Sequence, residues 1–187
     1  NAAAESSAPL CHTRERWLRN GSEVSQKGQR HARSGWVFPD ALVKCTIGPS
    51  TAMLTRELFD AVGGFREDLE IAEDYELWLR ITAYHPVSYL EEPLTIKRAG
   101  HGDQLSGKHP QIESFRIRAL GDLVERGYFS AVPEYEALAR EELARKCRIY
   151  AGGARKRGKE AEARAYEARA ARAEGHGSGG RHRGAAG

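Results

Sequence analysis

The acidic pair Glu73-Asp74 stands directly before an apolar run, Tyr75 to Ile81, whose only charges are Glu76 and Arg80. A helix starting at Glu73 presents its partial positive charge to both carboxylates and favours their ionised form. A carboxylate held there, facing a cleft, can take the proton of a hydroxyl nucleophile as a general base. Acidic residues also gather in first turns for helix stability alone, so both readings stand at this point. His101 is the second candidate. It lies between Gly100 and Gly102, beside Asp103, Gln104 and Ser106. Flanking glycines let a backbone approach a ligand closely. A neutral imidazole ligates a metal or bonds a phosphate, although a lone histidine of this kind is also an ordinary loop residue. Cys11, His12, His31 and Cys45 could be assembled into a zinc site, but their spacings fit no common zinc pattern. The cluster Arg155-Lys156-Arg157 can touch phosphates or anionic lipids, or simply close a helix in solvent.

Several chemistries have no motif here. There is no complete Walker P-loop and no G-x-S-x-G elbow. Asp-x-Asp, a pair that holds a divalent metal against a diphosphate, does not occur. The 187 residues are 40% hydrophobic, enough for one ordinary domain with a buried core and a small extension. The net charge is only +3, and Glu134, Glu136, Glu141, Glu142, Glu160, Glu162 and Glu167 interleave with the basic residues of the C-terminal part. A nucleic-acid binder needs a basic face instead. No apolar run reaches the roughly 18 residues of a transmembrane helix. No basic start followed by an apolar stretch marks a secretory signal. Asn20-Gly21-Ser22 matches a glycosylation acceptor, a pattern common by chance. The three cysteines are odd in number and far apart, so a disulfide framework is not expected and a reducing, cytoplasmic setting is. The chain starts with Asn1 rather than Met, which fits a fragment.

The elements that must position these groups follow from local signals. Residues 1–14 read as a ragged N-terminal end, and Cys11 to Ser34 as a polar stretch with a turn at Asn20-Gly21. Ser50 to Leu54 reads as a short buried strand. Thr55 can cap a helix through Leu58, Phe59 and Val62, which Gly63-Gly64 ends. A largely buried helix is expected over Glu73 to Tyr84, because Ile71, Tyr75, Trp78 and Thr82 form one stripe and Leu77, Ile81 and Tyr84 the next. His85-Pro86 stops it. Val87–Leu90 and Leu94–Ile96 read as two strands separated by Glu91-Glu92-Pro93. Helices are expected from Ile112 to Val124, from Pro133 to a break at Gly152-Gly153, and from about Arg155 to Glu174. Residues 175–187 read as a disordered tail.

The order of motifs resembles the second half of a family-2 glycosyltransferase. It comprises Ile47-Gly48-Pro49-Ser50-Thr51-Ala52-Met53-Leu54, then Arg56-Glu57-Leu58-Phe59, Val62-Gly63-Gly64-Phe65 and Glu73-Asp74-Tyr75-Glu76-Leu77-Trp78-Leu79-Arg80. It continues through Tyr89-Leu90, Glu92-Pro93-Leu94 and Lys97-Arg98 to His101 and Gln104-Leu105-Ser106. The likeness spans 15–107. The helical extension 108–174 resembles the tail of a bacterial subgroup.

The resemblance implies an α/β chain with a partial GT-A fold, the nucleotide-diphospho-sugar transferase type, followed by that helical extension. It implies inverting transfer of a sugar from a nucleotide-diphosphate sugar to the hydroxyl of a glycan or lipid-linked acceptor, in bacterial surface polysaccharide or glycolipid synthesis. Asp74 would be the base, with Glu73 shaping the acceptor site. His101 would approach the metal and diphosphate, supported by Gln104 and Ser106, and Gly63 and Gly64 would turn the backbone beside the acceptor. Arg80 and Trp78 would anchor the helix. The cofactor implied is manganese or magnesium, whose Asp-x-Asp ligands belong to a nucleotide-binding half that this sequence lacks, so residues 1–187 alone are expected to be inactive. The enzyme would work in the cytoplasm, with a possible peripheral contact at the inner face of the membrane. Two other readings remain: a helical protein-interaction module without catalysis, and a weakly basic binder of nucleic acid or an anionic surface.

Overall fold

A computed structural model describes residues 8–26, 31–99 and 112–175. Strand β1 (Leu10–Arg19) is central to a four-stranded sheet. Its first residues pair antiparallel with β3 (Ala52–Leu54), and its last two pair with β2 (Ser22–Glu23). Asn20 and Gly21 make that hairpin turn with φ of 51° and 82°. Both values are positive, as a two-residue turn matched to strand twist requires. β4 (Val87–Ala99) runs parallel to β1 along its whole length, from Leu10 opposite Val87 to Arg19 opposite Ala99. The fold is therefore mixed α/β, with six helices among the described residues.

Three expectations need revision here. β1 starts at Leu10, inside the segment 1–14 read as a ragged end. Leu10, Cys11 and His12 are all buried, so the strand begins without the polar–apolar alternation that would announce it. β4 is one strand rather than two. Its register slips twice: Thr13 faces Leu90, Arg14 faces Pro93 and Glu15 faces Thr95. Pro93 has no N–H to give a ladder, and an irregularity is where a strand tolerates it. Finally, β3 is shorter than Ser50–Leu54. A 3-10 turn over Pro49–Thr51 leads into it, and Met53 is 53% exposed.

The helices of this first unit follow local rules. α1 (Phe38–Val43) carries Pro39 in its first turn and buries Phe38, Ala41 and Leu42. In α2 (Arg56–Ala61) the Thr55 hydroxyl accepts the Leu58 N–H at 3.1 Å, the expected cap. Gly63 and Gly64 then turn away at φ of +82° and +67°. α3 (Glu73–Thr82) buries every residue from Tyr75 to Thr82. Leu77, Trp78 and Ile81 join Leu10, Val37, Ile47, Leu58 and Val87 in one core. Each such side chain contributes about 1.5–3 kcal/mol of burial. That core, more than helix propensity, holds the first turn of α3 in place.

The chain divides into two compact units after Ala119, within α4 (Ile112–Glu125). In the second unit, α5 (Pro133–Lys156) and α6 (Glu160–Gly175) form a hairpin. Its seam is alanine: Ala151, Ala154 and Ala163 are buried, with Tyr166 packed against them. The break expected at Gly152-Gly153 does not occur, and α5 continues to Lys156. Two glycines cost a helix about 1 kcal/mol each. The flanking Ala151 and Ala154 are packed into the seam, so tertiary burial overrides that cost. The chain turns instead at Gly158, whose φ is +74°.

Candidate functional site

The first turn of α3 is built without a conventional cap. Ala72 occupies the N-cap position at φ +66° and offers no side-chain acceptor. A left-handed alanine costs roughly 1–2 kcal/mol. It is sustained by the bond from the Glu76 N–H to the Ala72 carbonyl at 3.1 Å and by the burial of Ala72 itself. The Asp74 carboxylate takes up part of the capping role. Its Oδ1 accepts the Tyr75 N–H at 2.6 Å.

Its Oδ2 accepts the Cys45 thiol at 3.4 Å, and the same thiol lies 3.4 Å from the Ile47 carbonyl. Cys45 stands just beyond α1, 29 residues from Asp74 in sequence. Burial pushes the Cys45 thiol pKa well up, and the negative charge of Asp74 pushes it further, while Arg116 opposes the shift. Cys45 is therefore a neutral S–H donor across the physiological range. Tyr75 completes the frame. Its hydroxyl donates to the Leu42 carbonyl at 2.7 Å, tying α3 to α1, and the Arg116 guanidinium lies 5.8 Å from its ring centroid. Asp74 and Glu73 are both half-buried. This arrangement can hold a fixed carboxylate at a helix start, with an S–H and an N–H to orient it.

Gly63 and Gly64 meet α3 elsewhere. Arg80 donates to the Val62 carbonyl and, at 2.6 Å, to the Gly64 carbonyl. Arg80 also pairs with Glu76 at 2.7 Å, both side chains being buried. The glycine turn is thus clamped six residues along α3 from Asp74, about 9 Å at 1.5 Å per residue. A side chain at Gly64 would meet the Phe59 ring at 3.2 Å. Arg80 anchors this turn. Trp78 is in the core, with its Nε1 buried and unpartnered among the described residues. His101, Gln104 and Ser106 lie outside the described residues.

The four residues considered for zinc do other things. His12 is buried and its Nε2 lies 2.8 Å from the Arg33 carbonyl. Burial holds the pKa values of His12 and His31 below the ordinary imidazole range. Cys11 is buried, and Cys45 is engaged with Asp74. Among the described residues no three His, Cys, Asp or Glu side chains gather as a metal would need. His101, the residue of this chain to which the resemblance gives a metal contact, is not among the described residues. Arg155 of the basic cluster reaches Glu167 at 2.9 Å and Glu160 at 3.3 Å.

Sequence reasoning missed the contributions of Cys45, Tyr75 and Arg116 to this site. Tyr75 follows Asp74 directly, but no spacing rule joins Cys45 to Asp74 or Arg116 to Tyr75, and only the tertiary fold brings those pairs together. No family model matches the chain, and no curated protein and no solved structure matches it either.

Proposed function

We propose that this chain carries the acceptor side of an inverting glycosyltransferase, with Asp74 as the general base. In the reaction, the Asp74 carboxylate takes the proton of an acceptor hydroxyl. The hydroxyl oxygen attacks the anomeric carbon of a nucleotide-diphosphate sugar. The carbon–oxygen bond to the diphosphate breaks, and the electron pair leaves with the nucleotide. One displacement inverts the anomeric centre. The observation that carries this reading is the Asp74 carboxylate at the start of a buried helix, with one oxygen on the Tyr75 N–H and the other on the Cys45 thiol. A base needs a carboxylate kept ionised and aimed. The ordered series of motifs and the mixed α/β architecture support the same assignment. Glu73, next in the chain, would bound the acceptor site. The setting proposed is bacterial surface polysaccharide or glycolipid synthesis at the cytoplasmic side of a membrane. The chain itself contributes no described helix long and apolar enough to cross one.

The test is transfer from a panel of nucleotide sugars by a polypeptide joining this segment to a nucleotide-binding half. Asp74→Asn is expected to lower kcat by about 10³-fold, within the range for losing a general base. The dissociation constant for the nucleotide sugar should stay within about twofold, because the base acts after binding. Undiminished turnover in Asp74→Asn overturns the assignment. Residues 1–187 alone are expected to give no turnover, since they contain no Asp-x-Asp.

A further inference from the structure

We infer that Cys45 is a positioning residue for Asp74, its thiol fixing Oδ2 of the carboxylate while the Tyr75 N–H fixes Oδ1. The pairing is a property of the fold; its meaning for catalysis rests on Asp74 being the base. The two donors come from different parts of the chain, one from α3 itself and one from the segment after α1. A carboxylate held only by its own helix can swing about its side-chain bonds. One held from two directions cannot do so without losing a bond.

A thiol is suited to this position for a chemical reason. It is a weak donor, so it orients the carboxylate without taking up its basicity as a stronger donor would. Burial among Ile47 and its core neighbours and the facing Asp74 charge keep the proton on sulfur. The opposing charge is Arg116, on α4. Glu73 is the adjacent acid on α3, and Ile47 contributes only its carbonyl. Cys45 therefore acts as a fixed donor here and not as a nucleophile.

The first experiment reads the pairing with no need for turnover. Residues 1–187 are treated with iodoacetamide, and capture at Cys45 is followed by peptide mass spectrometry. At a fixed pH near 8, Asp74→Asn is expected to speed capture of Cys45 about tenfold, whereas Glu73→Gln changes it by less than about twofold. An unchanged capture of Cys45 in Asp74→Asn, or an equal change in Glu73→Gln, overturns the pairing. The second experiment reads its consequence in the active transferase. Cys45→Ala should lower kcat while KM for the acceptor stays within about twofold, and Cys45→Ser, which restores a donor, should return kcat towards wild type. A Cys45→Ala kcat equal to wild type overturns the positioning role. Faster thiol capture accompanied by no loss of transfer in Asp74→Asn removes the catalytic reading of Asp74, and with it the catalytic part of this inference, while the pairing stands.

Discussion

Around α3 the polar contacts are few, buried and long-range. In the α5–α6 hairpin they are many, mostly exposed and mostly local. Arg80 reaches back to the carbonyls of Val62 and Gly64, Cys45 crosses 29 residues to Asp74, and Tyr75 crosses 33 to Leu42. The hairpin pairs Lys159 with Glu162 and Arg164 with Glu160 on its surface, three or four residues apart, and Lys146 with Glu142 is its buried exception. The first kind of contact closes a tertiary structure and has no substitute if lost. The second decorates helices whose packing is already supplied by an alanine seam, and exposed pairs of this kind contribute little individually. The contrast explains why the candidate site belongs with α3. A fixed carboxylate needs neighbours that cannot rearrange, and a surface network of interchangeable charges offers none.

The comparison breaks most sharply at Arg80. Arg80→Ala leaves the Glu76 carboxylate buried without its partner and strips two carbonyls of their donor. The expected loss is about 3–5 kcal/mol in urea unfolding. Glu76→Leu combined with Arg80→Met should recover part of it, since no buried charge remains. A loss of less than about 1 kcal/mol for Arg80→Ala would place this pair with the hairpin's.

Glycine-to-alanine exchanges sharpen the comparison by sign. Gly152 lies within α5, and a methyl group there meets nothing within 4 Å. Gly152→Ala should stabilise by roughly 0.5–1 kcal/mol. Gly64 sits at φ +67° against the Phe59 ring, so Gly64→Ala should destabilise by roughly 1–2 kcal/mol. Thermal unfolding of the two variants decides it, and shifts of the same sign would remove the distinction. The smallest effect is at Arg155, an exposed residue bonded to Glu160 and Glu167. Any shift in melting midpoint on Arg155→Ala should vanish in about 1 M salt, where the screening length falls to about 3 Å. The Arg80→Ala loss should persist there.

What could be read from the sequence was what local chemistry writes. Thr55 announces the cap of α2, Pro133 the start of α5, and Gly63-Gly64 the end of α2, because each acts within a turn of its own position. α3 was legible from its two apolar stripes, and so was the carboxylate pair at its start. β1 was not, because a strand buried at its first three residues and mostly polar thereafter has no single period. The continuity of α5 through Gly152-Gly153 depends on packing against α6, which composition does not encode. The site was half legible for the same reason. Asp74 carries its own signal, whereas Cys45, set among possible zinc ligands, shows its role only once α1 is folded beside α3. The loop of His101, Gln104 and Ser106 lies outside the described residues and adds nothing to this balance.

The parallel pairing of β1 with β4 also has a consequence in time. Leu10 must wait for Val87, and Arg19 for Ala99. At about 5–20 residues per second of synthesis, the central strand leaves the ribosome roughly 4–16 seconds before its long partner exists. During that interval β3 can cover only its first residues and β2 only its last. Non-local parallel pairing is slow in any case. The middle of the newly made β1 therefore waits longest for its partner, while the α5–α6 hairpin can close as soon as its own helices have emerged.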